Sequence, residues 1–194
     1  MLPNMAKAAG NAAGRPPRGP AGRPSGRERG ADPPHPAHPG ARFILRLVVC
    51  WGVAWAILAL APGLETWAIR LTAASVFHTV HSVYPGTVLT GTQVFAAGAS
   101  LEIISECTPL VPILLLAGAV AAYPAGLRPK LAGISAGIVA LWVYNVARLI
   151  VLIVVLVRWP AWFDFIHVYL WQTVTVLVAA GLFVAWVRWV APGR

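Results

Sequence analysis

The chain has 194 residues, of which 58% are apolar and 11% charged, against about 45–50% and 25% in ordinary soluble domains. With a mean hydropathy of +0.72, this excludes a soluble globular enzyme and a globally disordered chain. The net charge is +9, but eight of the fifteen Lys and Arg residues lie within residues 1–46. That is the charge pattern of an integral membrane protein with a basic tail rather than of a nucleic-acid-binding protein.

Residues 1–42 show no apolar periodicity. They mix Pro, Gly, Ala and Arg, as in Arg15-Pro16-Pro17-Arg18 and Asp32-Pro33-Pro34-His35-Pro36. Such a segment buries too little apolar surface to offset the entropy of ordering, so it reads as a disordered basic cytoplasmic tail. A secretory signal would place an apolar stretch close behind the basic region. Here the first apolar run begins only at Phe43 and is long enough to span a bilayer. The Arg-Pro content of the tail also suits anionic lipid headgroups.

Hydropathy predicts an all-α polytopic membrane domain over 43–190, with about four transmembrane helices near 43–61, 108–123, 131–157 and 165–187. A bilayer core takes about 20 apolar residues. The second span is short for this, so it either begins before Cys107 or sits where the bilayer thins. The third is long enough to tilt or project. Twelve of the fifteen basic residues fall in 1–46, 124–130 and 188–194. The positive-inside rule therefore places both termini in the cytoplasm and residues 62–106 and 158–164 outside. Most of the nine tryptophans fall near predicted boundaries, as interfacial anchors do.

The outside segment 62–106 is too long to lack structure of its own. Glu65–Val83 reads as an amphipathic helix lying on the membrane, with Trp67, Leu71, Ala74 and Phe77 at helical spacing. The Thr-, Val- and Ile-rich stretch Thr87–Ile104, broken at Ala97-Gly98, reads as a β-hairpin leading into the second span.

An ionisable residue inside a span points to function. Arg148 lies ten residues before the end of the third span, roughly 15 Å deep at 1.5 Å per residue. Asn145, three residues earlier, is placed to accept a hydrogen bond from it. Cys107 stands at the mouth of the second span, behind Glu106 and ahead of Pro109. Proline suits a first helical turn, and a helix N-terminus stabilises a thiolate. His167 opens the last span, with Asp164 three residues before it to orient the ring. Cys107, Arg148 and His167 thus come from three spans and share the outer half of the membrane. Together they are a minimal set for thiol acyl transfer: a nucleophile, an acid/base and a cation for the oxyanion. Glu102 and Glu106 raise rather than lower a neighbouring thiol's pKa, which suits substrate positioning or a solvated surface. Cys50 lies roughly 16 Å below the outer end of its span, too far for a disulfide with Cys107. His78, His81 and His167 lack the carboxylate or thiol spacing that would complete a metal site.

The order Glu106-Cys107-Thr108, then Asn145-Val146-Ala147-Arg148, then His167 resembles the exosortase/archaeosortase family. So does the turn Tyr123-Pro124 to Lys130 followed by Leu131-Ala132-Gly133-Ile134. Pro109 stands where many members carry glycine, and four spans are fewer than in many relatives. The resemblance covers roughly residues 43–190. It implies a membrane cysteine protease or transpeptidase with Cys107 as nucleophile, Arg148 as oxyanion-stabilising cation and His167 as acid/base. Asn145, Glu106 and Asp164 would support substrate or site, with no cofactor and no metal. Its substrates would be exported proteins bearing a C-terminal motif, a transmembrane stretch and a basic tail, cut at the outer face of the cytoplasmic membrane. The alternative is a small non-enzymatic transporter or assembly factor with Arg148 in an anion path. A metal-dependent intramembrane protease lacks its His-Glu-x-x-His pattern.

Overall fold

The computed structural model describes residues 39–191. The expected tail falls outside the described residues up to position 38; its last four residues are helical. Helix α1 covers Pro39–Leu60 and runs almost directly into α2, Pro62–His81. Pro62 both ends α1 and opens α2, because proline lacks the N–H that a helix interior needs and a first turn does not. A three-stranded antiparallel meander follows, in the order β1 (Val88–Thr90), β2 (Gln93–Ala96) and β3 (Ala99–Glu102). A 3-10 turn at Ser105–Cys107 leads to α3 (Leu110–Ala122), α4 (Leu127–Arg158) and α5 (Trp171–Val190). A π-helical turn, Phe165–Leu170, precedes α5 and is continuous with it.

Among the described residues, three helices are long and apolar enough to cross a membrane: Gly40–Leu60, Leu127–Arg158 and Phe165–Val190. Their outward surface is largely apolar, with Leu45 66% and Leu60 84% exposed. A contiguous apolar surface of this kind needs a membrane or a partner to cover it. At 32 residues, α4 is about 48 Å long and outreaches a hydrocarbon core of about 30 Å. The expected second span is the exception. Helix α3 has 13 residues, about 20 Å, and length alone does not make it a span.

Residues 62–106 depart from expectation in the sheet. The meander has three strands, not two, because a second tight turn at Gly91-Thr92 joins β1 to β2, with Thr90 opposite Gln93. The expected break at Ala97-Gly98 is the β2–β3 turn, with φ of +54° and +82°, the signs of a type I′ hairpin turn. The packed face of α2 carries Ala68, Thr72, Ala73, Val76 and Val80, while Trp67 is 56% exposed and Leu71 37%. Small and β-branched residues let α2 approach the sheet and α4 closely; the larger side chains point outward.

Two clusters of buried residues result. One joins Val76, Val94, Leu101, Ile103, Cys107, Leu149 and Leu152 beneath the meander. The other, around Leu116, Val120, Leu141 and Trp186, ties α3, α4 and α5 together. Two tryptophans are packing residues rather than interfacial anchors. Trp186 is 7% exposed, donates to the Pro129 carbonyl at 2.9 Å and lies over Gly133, where an added Cβ would collide with its indole. Trp51 donates to the Leu115 carbonyl at 3.2 Å and lies over Gly118 in the same way.

Candidate active site

The chain segment carrying Cys107 is shaped by the strand before it. Ile103 N–H still pairs with the Thr92 carbonyl at 3.0 Å, extending the β2–β3 ladder; the chain then tightens so that Cys107 N–H donates to the Ile104 carbonyl at 3.0 Å. Thr108 Oγ1 donates to the Ser105 carbonyl at 2.8 Å and holds the exit toward α3. Pro109 is therefore the N-cap of α3 rather than a first-turn residue. The Cys107 thiol points back toward β3, with Sγ 4.0 Å from the Glu102 carbonyl oxygen.

This overturns the expected helix-dipole activation. Cys107 is 2% exposed, and burial pushes its thiol above the ordinary value. The Ile104 backbone and the charge of Arg148 act against that shift, and Glu106 adds to it. At rest the group is a buried thiol beside a cation. Cys50 and Cys107 are both free.

Asn145 is 3% exposed and donates from Nδ2 to the Cys107 carbonyl at 2.8 Å. It was expected to accept from Arg148; it instead ties α4 to the loop that carries the thiol. The pairing crosses 38 residues of sequence, and the buried carbonyl of an irregular segment needs such a donor.

Arg148 is one helical turn further along and 5% exposed, with its Nε buried and without a hydrogen-bond partner. Cys107 and Tyr144 lie within electrostatic reach of it. Tyr144 is a neighbour that the sequence reading missed. Its hydroxyl lies 3.0 Å from Thr175 Oγ1 on α5, so it joins the two helices next to the guanidinium. Only its position beside Asn145 could have drawn attention to it.

His167 sits on the π-helical turn and is half-buried. Its ring stacks on Phe163, with centroids 5.5 Å apart and planes 4° from parallel. Phe163, four residues earlier, was also missed, although its spacing was a usable signal. Asp164 is exposed and within electrostatic reach of His167, as are Arg148 and Glu106. Asp164 does not hydrogen-bond Nδ1, which is buried and unpartnered. The ring is therefore oriented by stacking and not, as expected, by the carboxylate. Glu106 is exposed and accepts from Ser105 Oγ at 3.0 Å.

Arg148 is thus the meeting point. Cys107 and His167 each feel its charge, while no hydrogen bond joins the thiol to the imidazole among the described residues. His78 and His81 lie on α2 beside Phe77, and no group of three or more His, Cys, Asp or Glu among the described residues is placed to hold a metal ion. Together these features describe a helical, membrane-associated protein with Cys107, Asn145 and Arg148 buried and a half-buried His167 within electrostatic reach of Arg148. No family model, curated protein or solved structure matches the chain.

Proposed function

We propose that the chain is a membrane-embedded cysteine protease or transpeptidase acting on C-terminal sorting signals of exported proteins at the outer face of the cytoplasmic membrane. One observation carries the reading. The charge of one buried guanidinium, whose Nε is unpaired, reaches both the Cys107 thiol and the His167 imidazole, which come from two other segments. A guanidinium held in a membrane with an unpaired nitrogen is costly and persists where it serves a site. An arriving substrate carbonyl, whose oxygen becomes negative, is a suitable partner.

In this reading Cys107 Sγ attacks the scissile carbonyl carbon and its proton passes to the His167 imidazole. Arg148 stabilises the oxyanion. The C–N bond breaks as His167 returns the proton to the leaving amine, leaving a thioester on Cys107. An incoming amine or water then attacks the thioester and the thiol is restored. At 2% exposure the thiol requires substrate to part β3 and the Ser105–Thr108 segment before attack. α3 completes a fourth span through a thinned bilayer, with the Lys/Arg-rich ends cytoplasmic. The substrate's own transmembrane stretch lies against the spans and presents its motif to Cys107.

The test is C-terminal peptide mass spectrometry of envelope proteins from cells expressing the native chain or Cys107→Ala at equal levels. A set of proteins that regains hydrophobic C-terminal tails in the variant supports the reading, and the lost junction gives the motif. Identical C-termini would sink it. The unpaired Nε of Arg148 would then make an anion path, in a transporter or assembly factor, the reading to pursue.

A further inference from the structure

A second concavity lies away from the cysteine, between the C-terminal ends of α2 and α4 and the β2–β3 turn, with a volume of about 350 Å³. Its walls are aliphatic, with Val80, Val83, Ile153 and Val154 prominent, and Arg158 lines it with Thr79 and Tyr84. No acidic side chain lines it. Pockets that take small molecules are of this kind: a few hundred cubic ångströms, apolar walls and a few polar groups.

Two further features mark the place. Ala97, at φ +54°, lines the same groove. A left-handed conformation costs a non-glycine residue roughly 1–2 kcal/mol, and glycine would adopt it without strain; here a methyl group is kept on the groove wall. Arg158 is also the first charged residue after the aliphatic run of α4 and is exposed. As the charged end of an apolar helix long enough to span, Arg158 suits lipid phosphates, and the aliphatic groove beside it suits acyl chains. A second copy of the chain would need an interface of about 1,000 Å² or more, beyond what a concavity of this size offers.

We infer that this groove is a binding site for an anionic phospholipid, with one acyl chain along Val80, Val83, Ile153 and Val154 and the headgroup phosphate on Arg158. The inference is independent of the cysteine chemistry.

The full chain, purified in detergent, is offered phosphatidylglycerol and phosphatidylcholine of identical chains, and bound lipid is counted by native mass spectrometry. The expected result is one retained lipid per chain with a preference of about fivefold for phosphatidylglycerol, the fold-change for one basic residue at a membrane surface. Arg158→Gln removes the preference, while Arg158→Lys keeps most of it. Val154→Trp fills the groove and removes the retained lipid of both kinds while Arg158 stays in place. Equal retention of the two lipids by the native chain overturns the inference. So does unchanged retention in Val154→Trp, or a dimer that is lost in that variant.

Discussion

Replacing Asn145 with Ala tests the link between α4 and the Cys107 loop. The side chain is 3% exposed and its Nδ2 donates to the Cys107 carbonyl at 2.8 Å. Its removal strands a buried acceptor. Hydrogen bonds between membrane helices average about 0.6 kcal/mol in double-mutant cycles, whereas an orphaned buried carbonyl costs about 1–3 kcal/mol. The local opening that uncovers the thiol therefore becomes easier by roughly 0.6–3 kcal/mol, or about 3- to 150-fold in population. Maleimide labelling read by peptide mass spectrometry resolves the two cysteines separately. Cys107 should label about 3- to 150-fold faster in Asn145→Ala, while the half-buried Cys50 in α1 keeps its native rate. Equal acceleration of both thiols would mean global loosening. An unchanged Cys107 rate would mean that the bond does not hold the loop, and either result refutes the reasoning.

Burial that raises the Cys107 pKa also sets a pH dependence. A thiol that ionises less readily when folded adds stability below its unfolded value, near pH 9.0, and that contribution is lost as pH rises through the folded value. Thermal unfolding scans in detergent should show the native chain losing more stability above pH 9 than Cys107→Ala does; parallel profiles would contradict this. Gly133→Ala drives a methyl group into the Trp186 indole and should lower stability by about 1–3 kcal/mol. Gly52→Ala meets nothing within 4 Å and should be neutral or stabilising by up to about 1 kcal/mol through helix propensity; the same melting assay reads both. In the proposed reaction, His167→Ala should reduce substrate processing by about 10²- to 10⁴-fold, the usual contribution of an acid/base group. Phe163→Ala, which removes the stacking partner, should lower it less while leaving protein levels unchanged in membranes.

The long helices were legible in the sequence because an uninterrupted aliphatic run has one economical conformation in an apolar medium. Pro62 and the break at Ala97-Gly98 were local signals and marked real boundaries. The turn at Gly91-Thr92 escaped notice, so β1 (Val88–Thr90) and β2 were read as one strand. The packed face of α2 was not legible because its residues, Ala68, Thr72, Ala73, Val76 and Val80, are small or β-branched and carry no strong apolar signal. In a chain of this hydropathy both sides of a helix find apolar surroundings, and size instead selects which side approaches a neighbour closely. Cys107, Arg148 and His167 stood out as residue types costly or reactive at the depths predicted for them. Their partners did not, since the Asn145–Cys107 bond, the Tyr144–Thr175 pair and the Phe163 stack depend on which elements fold against one another. The activation state of the thiol was misread for the same reason: the sequence shows a nearby proline but not the direction of the side chain.

The π-helical turn at Phe165–Leu170 has a consequence for how this chain tolerates change. Such a turn holds an extra residue, so side chains on its two sides are displaced by about 100° around the axis relative to an unbroken α-helix. The half that carries His167 and the half that seats Trp186 against Gly133 are therefore aimed independently. Deleting one residue here, such as Val168, would restore a plain α-helix and swing the imidazole away from Arg148 while Trp186 keeps its seat. A lineage could silence or restore this histidine through a single-codon insertion or deletion, with helix packing and membrane insertion unaltered.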